Sequence, residues 1–397
     1  MKIGVVTMFK HTPNYGGALQ AYALPTFLCK MGHEAEQIFF DDSNVCEREK
    51  LSCLKSIEIE AKVFLWNMIQ RLKHPLHTFK YQCRFREMVR FGMDVTPHSN
   101  KFYHYNDIAE TANLYEMYIV GSDVVWTPTL NSPILLLKFV PEGKRKISYA
   151  ASFGTSILTP LQQQRFKADL ANYHAVSVRE KSMISVLESA TGKKVEHCLD
   201  PTLLLEREDW DKICSPRIIG EPYAFSFFLG NNVNARITAI EYAKKKGLKL
   251  VNIPYLWEQY SDFAHFGDIR LSKVSPKDFI SLIKYSEYIF TDSFHVCVFS
   301  QIYQRNFFTF RRNSTDKQSI RITDFLELTG FLERFCGTTE RETYAYCDSI
   351  EEADYNKTSE ALQVMRQQSI EYLICNTNVT KKIVNRQISV KLNRHIN

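Results

Sequence analysis

Several features that would fix a protein class are absent from the sequence. No apolar run approaches the ~20 residues that span a bilayer. The ten cysteines occur singly, without a Cys-x-x-Cys pair, so neither a zinc site nor a disulfide framework is expected. Reduced thiols in a cytoplasmic protein are the simplest interpretation. The opening MKIGVVTMF predicts a first strand rather than a signal peptide, because no hydrophobic region with a cleavage site follows it.

What is present indicates a globular protein of two domains. A chain of 397 residues is too long for one core and suits two α/β domains of ordinary size. Hydrophobic residues make up 45% of the chain and charged residues 24%, with no low-complexity tract. Strands alternate with helices, which predicts doubly wound parallel sheets. We expect two Rossmann-like domains facing across a cleft, a GT-B-like architecture, with a helical insertion in the first.

The first domain is expected to span residues 1–210, on the acceptor side of the cleft. Its predicted strands cover residues 2–8, 36–40, 115–120, 146–152, 175–178 and 195–199, with a first helix over 18–31. Four of them deliver Asp123, Ser152, Arg179 and Asp200 to one edge of the sheet. Ligands bind at this edge in open α/β sheets. We expect Asp200 to be structural, capping the turn before Pro201.

The second domain is expected over residues 220–350, after a linker at 206–222, with a C-terminal helix and basic tail at 355–397. Its central unit runs from Ser275 to Phe310 and reads as helix, strand, turn, helix, strand. The strand ends at Thr291–His295, where a second helix begins, so an imidazole lies at a helix N-terminus that suits an anion. The alternative is that Ser293 caps this helix and His295 is a core histidine.

Net charge is +6, and much of it lies in two segments. Residues 55–90, within the insertion predicted over 45–100, carry eight Lys or Arg against three acids, and the tail after Val379 carries five against none. Interleaved aromatic residues suit an anionic membrane surface or a phosphate-rich ligand. A solvated helix face is the alternative. No nucleic-acid-binding motif accompanies the charge, so nucleic acid is not expected as a partner.

Six short blocks in consistent order resemble the polysaccharide pyruvyl transferase family over about residues 3–335. They are Asn14–Tyr22 (NYGGALQAY), Gly121–Asp123 (GSD), Ser148–Gly154 (SYAASFG), Ser177–Glu180 (SVRE), Asp200–Thr202 (DPT) and Thr291–His295 (TDSFH). The resemblance implies an enzyme that moves the enolpyruvyl group of phosphoenolpyruvate onto a sugar of a surface polysaccharide precursor, such as a capsule or exopolysaccharide. A pyruvate ketal forms and phosphate is released. No cofactor or metal is implied.

The resemblance also implies roles for particular residues. His295 contacts phosphoenolpyruvate as acid or phosphate-stabilising group, Arg179 pairs with its phosphate or carboxylate, and Asp123 is the base or orients the acceptor. Their alternatives are a core histidine, an interdomain salt bridge and a helix N-cap. The expected substrate-binding residues are Asn14, Tyr15, Gly16, Ser122, Ser152, Phe153, Asp292, Ser293, Arg311, Arg312, Lys317 and Arg321.

One departure from the pattern concerns the donor. Some members carry Arg-Leu-His where this chain has Ser293-Phe294-His295, so the positive charge must come from elsewhere. Arg311, Arg312, Lys317 and Arg321 are the candidates. An acceptor linked to a polyprenyl diphosphate would place the enzyme in peripheral contact with the inner face of the cytoplasmic membrane.

Two rival functions use the same fold. One is a nucleotide-sugar glycosyltransferase, in which Asp292 would bind the ribose near the central strand. The other is a catalytically silent member that binds glycans or scaffolds a synthesis complex. Calorimetry with phosphoenolpyruvate against nucleotide sugars distinguishes the first rival. For the second, replacing His295 with alanine would leave the cellular phenotype intact.

Overall fold

A computed structural model describes residues 1–8, 14–41, 75–128, 132–254, 265–313 and 319–377. In these ranges the chain forms two parallel sheets flanked by helices, as expected for two Rossmann-like domains in a GT-B-like arrangement.

The first sheet has the order β3-β2-β1-β4-β5, and its paired strands are parallel. Its strands are β1 (Lys2–Val6), β2 (Glu34–Asp41), β3 (His98–His104), β4 (Met117–Val120) and β5 (Arg145–Ser148). The short parallel pair β6 (Val176–Val178) and β7 (Val195–His197) continues it through isolated bridges to residues 147 and 151. Among the described residues of this half, the helices are α1 (Tyr15–Lys30), α2 (Pro75–Asp94), α3 (Pro160–Asp169) and α4 (Ile184–Thr191).

After a short helix in the predicted linker, α5 (Arg207–Asp211), the second sheet has the order β10-β9-β8-β11-β12-β13, again parallel. Its strands are β8 (Tyr223–Phe227), β9 (Lys249–Asn252), β10 (Ile269–Arg270), β11 (Tyr288–Thr291), β12 (Asn306–Phe310) and β13 (Phe335–Cys336). The remaining helices are α6 (Val233–Lys245), α7 (Pro276–Lys284), α8 (Phe294–Ile302), α9 (Ile320–Thr329), α10 (Tyr344–Ser349) and α11 (Tyr355–Thr377).

Contacts made by α1 and by α11 help to join the halves. Tyr15, at the start of α1, stacks on Phe279 with ring centroids 4.3 Å apart and donates its hydroxyl to the carbonyl of Val274 at 3.0 Å. The α11 helix begins on the second domain, where the Tyr355 hydroxyl donates to the Arg305 carbonyl. It ends among the buried residues of the first. Part of the domain boundary is therefore a packed apolar interface.

The insertion differs from the helical segment predicted over 45–100. Residues 42–74 lie outside the described part of the chain, α2 ends at Asp94, and residues 98–104 form the edge strand β3. Arg84 on α2 is buried and donates to the carbonyls of Ser272 and Pro254 at 3.2 and 2.7 Å. Arg84 was counted in the predicted basic segment, but its side chain is buried and its hydrogen bonds attach the insertion to the second domain. The basic tail after residue 377 lies outside the described residues.

Candidate functional site

The carboxyl ends of the first-domain strands bring together the residues that the sequence placed there. Ser122 and Asp123 follow β4, Ser152 follows β5, and Arg179 follows β6. Asp200 lies three residues beyond β7 and begins a 3-10 turn. Asp123 takes a φ of 40°, a left-handed conformation that is uncommon outside glycine and often found at functional sites.

A buried ion pair between Arg179 and Asp200 forms the centre of this edge. Nη1 of Arg179 donates to Oδ2 of Asp200 at 2.6 Å, and Nη2 donates to the Ser152 hydroxyl at 2.9 Å. Burial alone would raise the pKa of Asp200, but His295, Arg179 and the Thr202 amide hold this pKa well below its usual range. Asp200 is therefore a permanent anion inside the protein.

Two further carboxylates surround the Arg179 guanidinium. Oδ1 of Asp123 lies 3.7 Å from Nη2, and Oε1 of Glu180 lies 3.8 Å from Nε. Burial opposes the charge of Arg179, yet Asp200, Glu180 and Asp123 outweigh that effect and raise its pKa. The Phe294 ring covers the guanidinium carbon at 4.4 Å. Three anions thus neutralise Arg179, which makes it a poorer anchor for a ligand anion than its position suggests.

Sequence reasoning did not assign Glu180 or Asp200 to the site. Glu180 accepts hydrogen bonds from the Ser152 hydroxyl and the Phe153 amide. Asp200 caps its turn through the Thr202 amide, as predicted, but its second oxygen belongs to the charge cluster. The adjacency of Glu180 to Arg179 was visible in the S-V-R-E block. The second role of Asp200 depends on three-dimensional contacts.

His295 reaches this cluster from the second domain. It lies in the first turn of α8, is only 5% exposed, and points Nε2 toward Oδ2 of Asp200 at 3.5 Å. Among the described residues Nε2 has no hydrogen-bond partner of ordinary length. Gly16 on α1 packs against the ring beside its other nitrogen, Nδ1. His295 and Arg179, which the sequence placed in one site, therefore share Asp200 as a common neighbour.

Arg321 supplies a second buried guanidinium, from α9. Its Nη1 lies 3.6 Å from Oδ1 of Asp123. Burial, together with the positive charges of Arg179 and Arg312, lowers the pKa of Arg321 to about 10, and Asp123 and Glu180 only partly oppose this. The guanidinium stays charged at neutral pH. An anion arriving beside Arg321 would thus relieve repulsion among the cations.

Asn14 connects the start of α1 to the cluster. It is the N-cap of that helix and accepts a hydrogen bond from the Gly17 amide, while its Nδ2 donates to Oδ2 of Asp123 at 3.2 Å. One short side chain therefore fixes both the helix entrance and the orientation of a site carboxylate.

Other predicted binding residues are engaged elsewhere. The Tyr15 hydroxyl is buried against Val274, and burial raises its pKa to about 12. Phe153 packs against Trp126, with only its amide reaching Glu180. Asp292 accepts hydrogen bonds from the amides of Leu229 and Gly230 at 2.6 and 2.8 Å, one on each oxygen. Both oxygens of this carboxylate therefore hydrogen-bond to the loop that follows β8.

The remaining predictions concern both flanks of the site. The Ser122 hydroxyl donates to Ala150 O and Oδ2 of Asp200. Ser293 occupies the N-cap position of α8, although its side chain makes no capping hydrogen bond. Arg311 is exposed and Arg312 half-buried beside Gly230, while Lys317 lies outside the described residues.

A cavity of about 20 Å³ lies behind Arg179 and has room for about one water molecule. The site residues that line it are Arg179, Glu180, Asp200, Phe294, Arg321 and Asp324. It is too small for a substrate. Across the described ranges no cluster of His, Cys, Asp and Glu could hold a metal ion, and none of the helices described there is long and apolar enough to cross a membrane.

Fold and site together define a two-domain GT-B-like protein with a polar, charged centre between its domains. Residues 14–314 match the profile of the polysaccharide pyruvyl transferase family. The chain belongs to this family, whose members are transferases of polysaccharide biosynthesis. No curated protein matches the sequence significantly.

Several solved structures share the fold. MnaA from S. aureus, solved with UDP, superposes with a TM-score of 0.51 at 11% identity, covering 96% of this chain and 97% of that one. A UDP-N-acetylglucosamine 2-epimerase described as putative, from Listeria monocytogenes, gives 0.50 at 12% identity over 92% and 90%. The Methanocaldococcus jannaschii UDP-GlcNAc 2-epimerase, in complex with UDP-GlcNAc and UDP, gives 0.50 at 11% identity over 94% and 99%. At this identity the similarity establishes the fold alone.

Proposed function

We propose that this chain is a pyruvyltransferase that uses phosphoenolpyruvate to form a pyruvate ketal on a sugar. In the reaction two sugar hydroxyls add to C2 of the donor, C3 takes one proton to become a methyl group, and the C2–O bond to phosphate breaks. The second hydroxyl proton leaves with the phosphate. Atoms and charge balance without a redox partner.

The observation that carries this proposal is that His295, from the second domain, shares one buried charge cluster with two guanidinium groups, to which it is linked through Asp200 and Asp123. The donor is small and strongly anionic, and such ligands suit preorganised cations in a site that excludes water. Protonating a methylene carbon needs a positioned acid, a role that an imidazole fills. Family membership adds independent support.

Arg321 is the better candidate for the donor anchor. Arg179 is held by three carboxylates within 4 Å, and the buried Arg321 cation, 3.6 Å from Asp123, is repelled by the positive charges of Arg179 and Arg312, so a donor anion beside it would relieve that repulsion. In our proposal Arg321 supplies the positive charge that Ser293 lacks. Arg179 then holds the carboxylates in place, and Asp123 accepts a proton from a sugar hydroxyl.

Phosphate release from phosphoenolpyruvate tests the proposal, with a panel of lipid-linked sugars as acceptors. We expect release with at least one acceptor, and none from His295→Gln. Arg217→Met is a matched control, because this arginine is exposed and donates its hydrogen bonds to the nearby carbonyls of Ile219 and Glu221. Wild-type protein that leaves phosphoenolpyruvate intact with every acceptor, yet turns over a nucleotide sugar, would refute the proposal.

We also propose that the acceptor is presented at an anionic membrane surface. One exposed face of α2 carries Phe79, Arg86, Arg90 and Met93, with Lys80 beside them. Apolar and cationic groups on one helix face suit headgroup binding. Arg86→Glu with Arg90→Glu should abolish co-sedimentation with vesicles containing anionic lipid. Wild-type binding that ignores lipid charge and salt would contradict the membrane proposal.

A further inference from the structure

We propose that Asp200 is a positioning residue that holds the Nε2–H of His295, so that Nδ1 is the nitrogen that gives its proton to the donor. This inference rests on the proposed function, since it names the atom of His295 that acts there. It reassigns Asp200, which sequence reasoning treated as structural only.

The orientation of Asp200 is fixed by its own turn. Oδ1 accepts from the amide and hydroxyl of Thr202 at 3.1 and 2.8 Å. This leaves Oδ2 facing the cluster, where it meets Nη1 of Arg179 at 2.6 Å, the Ser122 hydroxyl at 3.2 Å and Nε2 of His295 at 3.5 Å. The carboxylate cannot turn away from His295 without losing several of these contacts.

Both Asp200 and His295 are buried, so the loss of Asp200 would deprive Nε2 of His295 of its carboxylate neighbour. Asp200 is 1% exposed and His295 5% exposed, so water cannot readily replace a missing partner. Nε2 is a buried nitrogen without an ordinary hydrogen bond, and Asp200 is the carboxylate recorded within 4 Å of it. A separation of 3.5 Å is longer than a normal hydrogen bond, but catalytic hydrogen bonds often shorten only when substrate is bound.

The surroundings of the other ring nitrogen are different. Gly16 of α1 packs against the ring beside Nδ1 and brings no side chain there. The other charged groups of the cluster are Arg179, Asp123, Glu180 and Arg321. In our proposal a ring that keeps its proton on Nε2 exchanges protons with the donor through Nδ1, at the edge of the ring beside the N-terminal turn of α1.

Asp200 also determines which tautomer the His295 ring adopts after it has given its proton to the donor. When the imidazolium donates, its Nδ1–H bond breaks and a C3–H bond forms on the donor. The neutral ring then retains its proton on Nε2, directed at a carboxylate. A carboxylate on one nitrogen selects the tautomer and orients the ring. Without it the wrong nitrogen carries the proton for part of the time, and the rate falls.

Nitrogen-15 NMR of histidine-labelled full-length protein tests this without relying on turnover, at a pH where the ring is neutral. His295→Gln identifies the His295 signals. We expect wild type to show the Nε2–H tautomer and Asp200→Asn to show a mixture or the Nδ1–H form. Asp209→Asn is the control, because Asp209 is also buried but pairs with Lys30 and Lys212. It should leave the His295 signals unchanged.

Kinetics provides a second readout. Asp200→Asn should lower kcat by roughly 10²–10⁴-fold, the usual contribution of a general acid, with the KM for phosphoenolpyruvate changed less than about threefold. Asp200→Glu, which keeps the charge, should recover part of kcat. If Asp200 had only a structural role, Asp200→Asn would lower the stability of the protein and leave the tautomer of His295 unchanged.

A wild-type spectrum with the proton on Nδ1 would overturn the inference, and this measurement stands even if Asp200→Asn fails to fold. A folded Asp200→Asn protein with an unchanged His295 tautomer would overturn it too. Wild type that never releases phosphate from phosphoenolpyruvate would defeat the proposed function instead, leaving the tautomer result to be judged separately.

Discussion

Gly16 and His295 touch across the domain boundary so closely that a β-carbon at position 16 would come within 2.0 Å of Nδ1 of the imidazole. The same β-carbon would lie 2.4 Å from Cγ of the ring. No side chain fits there unless the imidazole moves. The glycine therefore fixes where the histidine of the second domain sits relative to the first helix.

Gly16→Ala should lower activity strongly, although it adds only one methyl group. The added methyl group must push the His295 ring out of line with Asp200, and misplacing a catalytic group by about 1 Å can cost roughly 10²-fold in rate. We expect at least that loss in kcat for phosphate release, with a loss of about 1–3 kcal/mol in unfolding free energy from overpacking.

Gly17→Ala is the matched control on the same helix turn. Its β-carbon would meet Asn14 atoms at 3.4 Å or more, which is ordinary contact. Stability and activity should stay near wild type. If both alanine variants lose activity equally, the effect belongs to the helix start and not to His295.

Arg321→Met should weaken donor binding more than it slows chemistry. The variant removes a buried cation that the neighbouring cations repel, so the anion loses its main partner. We expect the KM for phosphoenolpyruvate to rise by at least about 10-fold, the loss typical of a charge-assisted hydrogen bond of 1.5–3 kcal/mol. A fall in kcat with unchanged KM would show that Arg321 instead serves the chemical step.

Arg84→Met should destabilise the protein. Arg84 is 2% exposed and satisfies two backbone carbonyls of the second domain, which the variant would leave buried and unpaired. The expected cost is about 1–3 kcal/mol in unfolding free energy, measured by denaturant titration. Arg86→Met, two residues away on the exposed face of α2, should change it by less than about 0.5 kcal/mol. An equal loss of unfolding free energy in both variants would contradict a buried structural role for Arg84 and an exposed position for Arg86.

Acidification should destabilise the fold partly through His197. Burial lowers the pKa of His197, which is hydrogen-bonded through Nε2 to the Arg179 carbonyl. Between its lowered native pKa and its ordinary value near 6.5, the unfolded chain binds more protons, so stability falls as pH drops through that window. Thermal melts of His197→Gln should show a weaker pH dependence than wild type there. An identical slope would contradict this.

Local signals in the sequence predicted much of the fold. Ser275 and Pro276 were expected to begin a helix, and α7 starts there with a capping box between Ser275 and Asp278. The strand ends near Asp123 and Arg179 were placed correctly because apolar runs and polar stops are features of neighbouring residues. In contrast, the first helix was expected to begin at residue 18, whereas Asn14 caps α1 and the helix begins at Tyr15.

The misjudged residues depend on contacts between distant segments. Arg84 looked like a surface cation, but its partners lie 170 and 188 residues away in sequence. Tyr15 looked like a ligand contact, yet its hydroxyl bonds to Val274. Asp200 showed its capping role through Pro201 and Thr202, while its second oxygen meets groups from both domains. Contacts between residues so far apart in the sequence cannot be predicted from local sequence patterns.

Calorimetric titration of the purified protein with phosphoenolpyruvate tests the central claim most directly, because binding of the donor needs no knowledge of the acceptor. We predict saturable one-to-one binding to wild type, at least about 10-fold weaker in Arg321→Met and retained in Arg217→Met, with UDP-N-acetylglucosamine giving no heat beyond dilution. Saturable binding of the nucleotide sugar together with none of phosphoenolpyruvate would contradict the account.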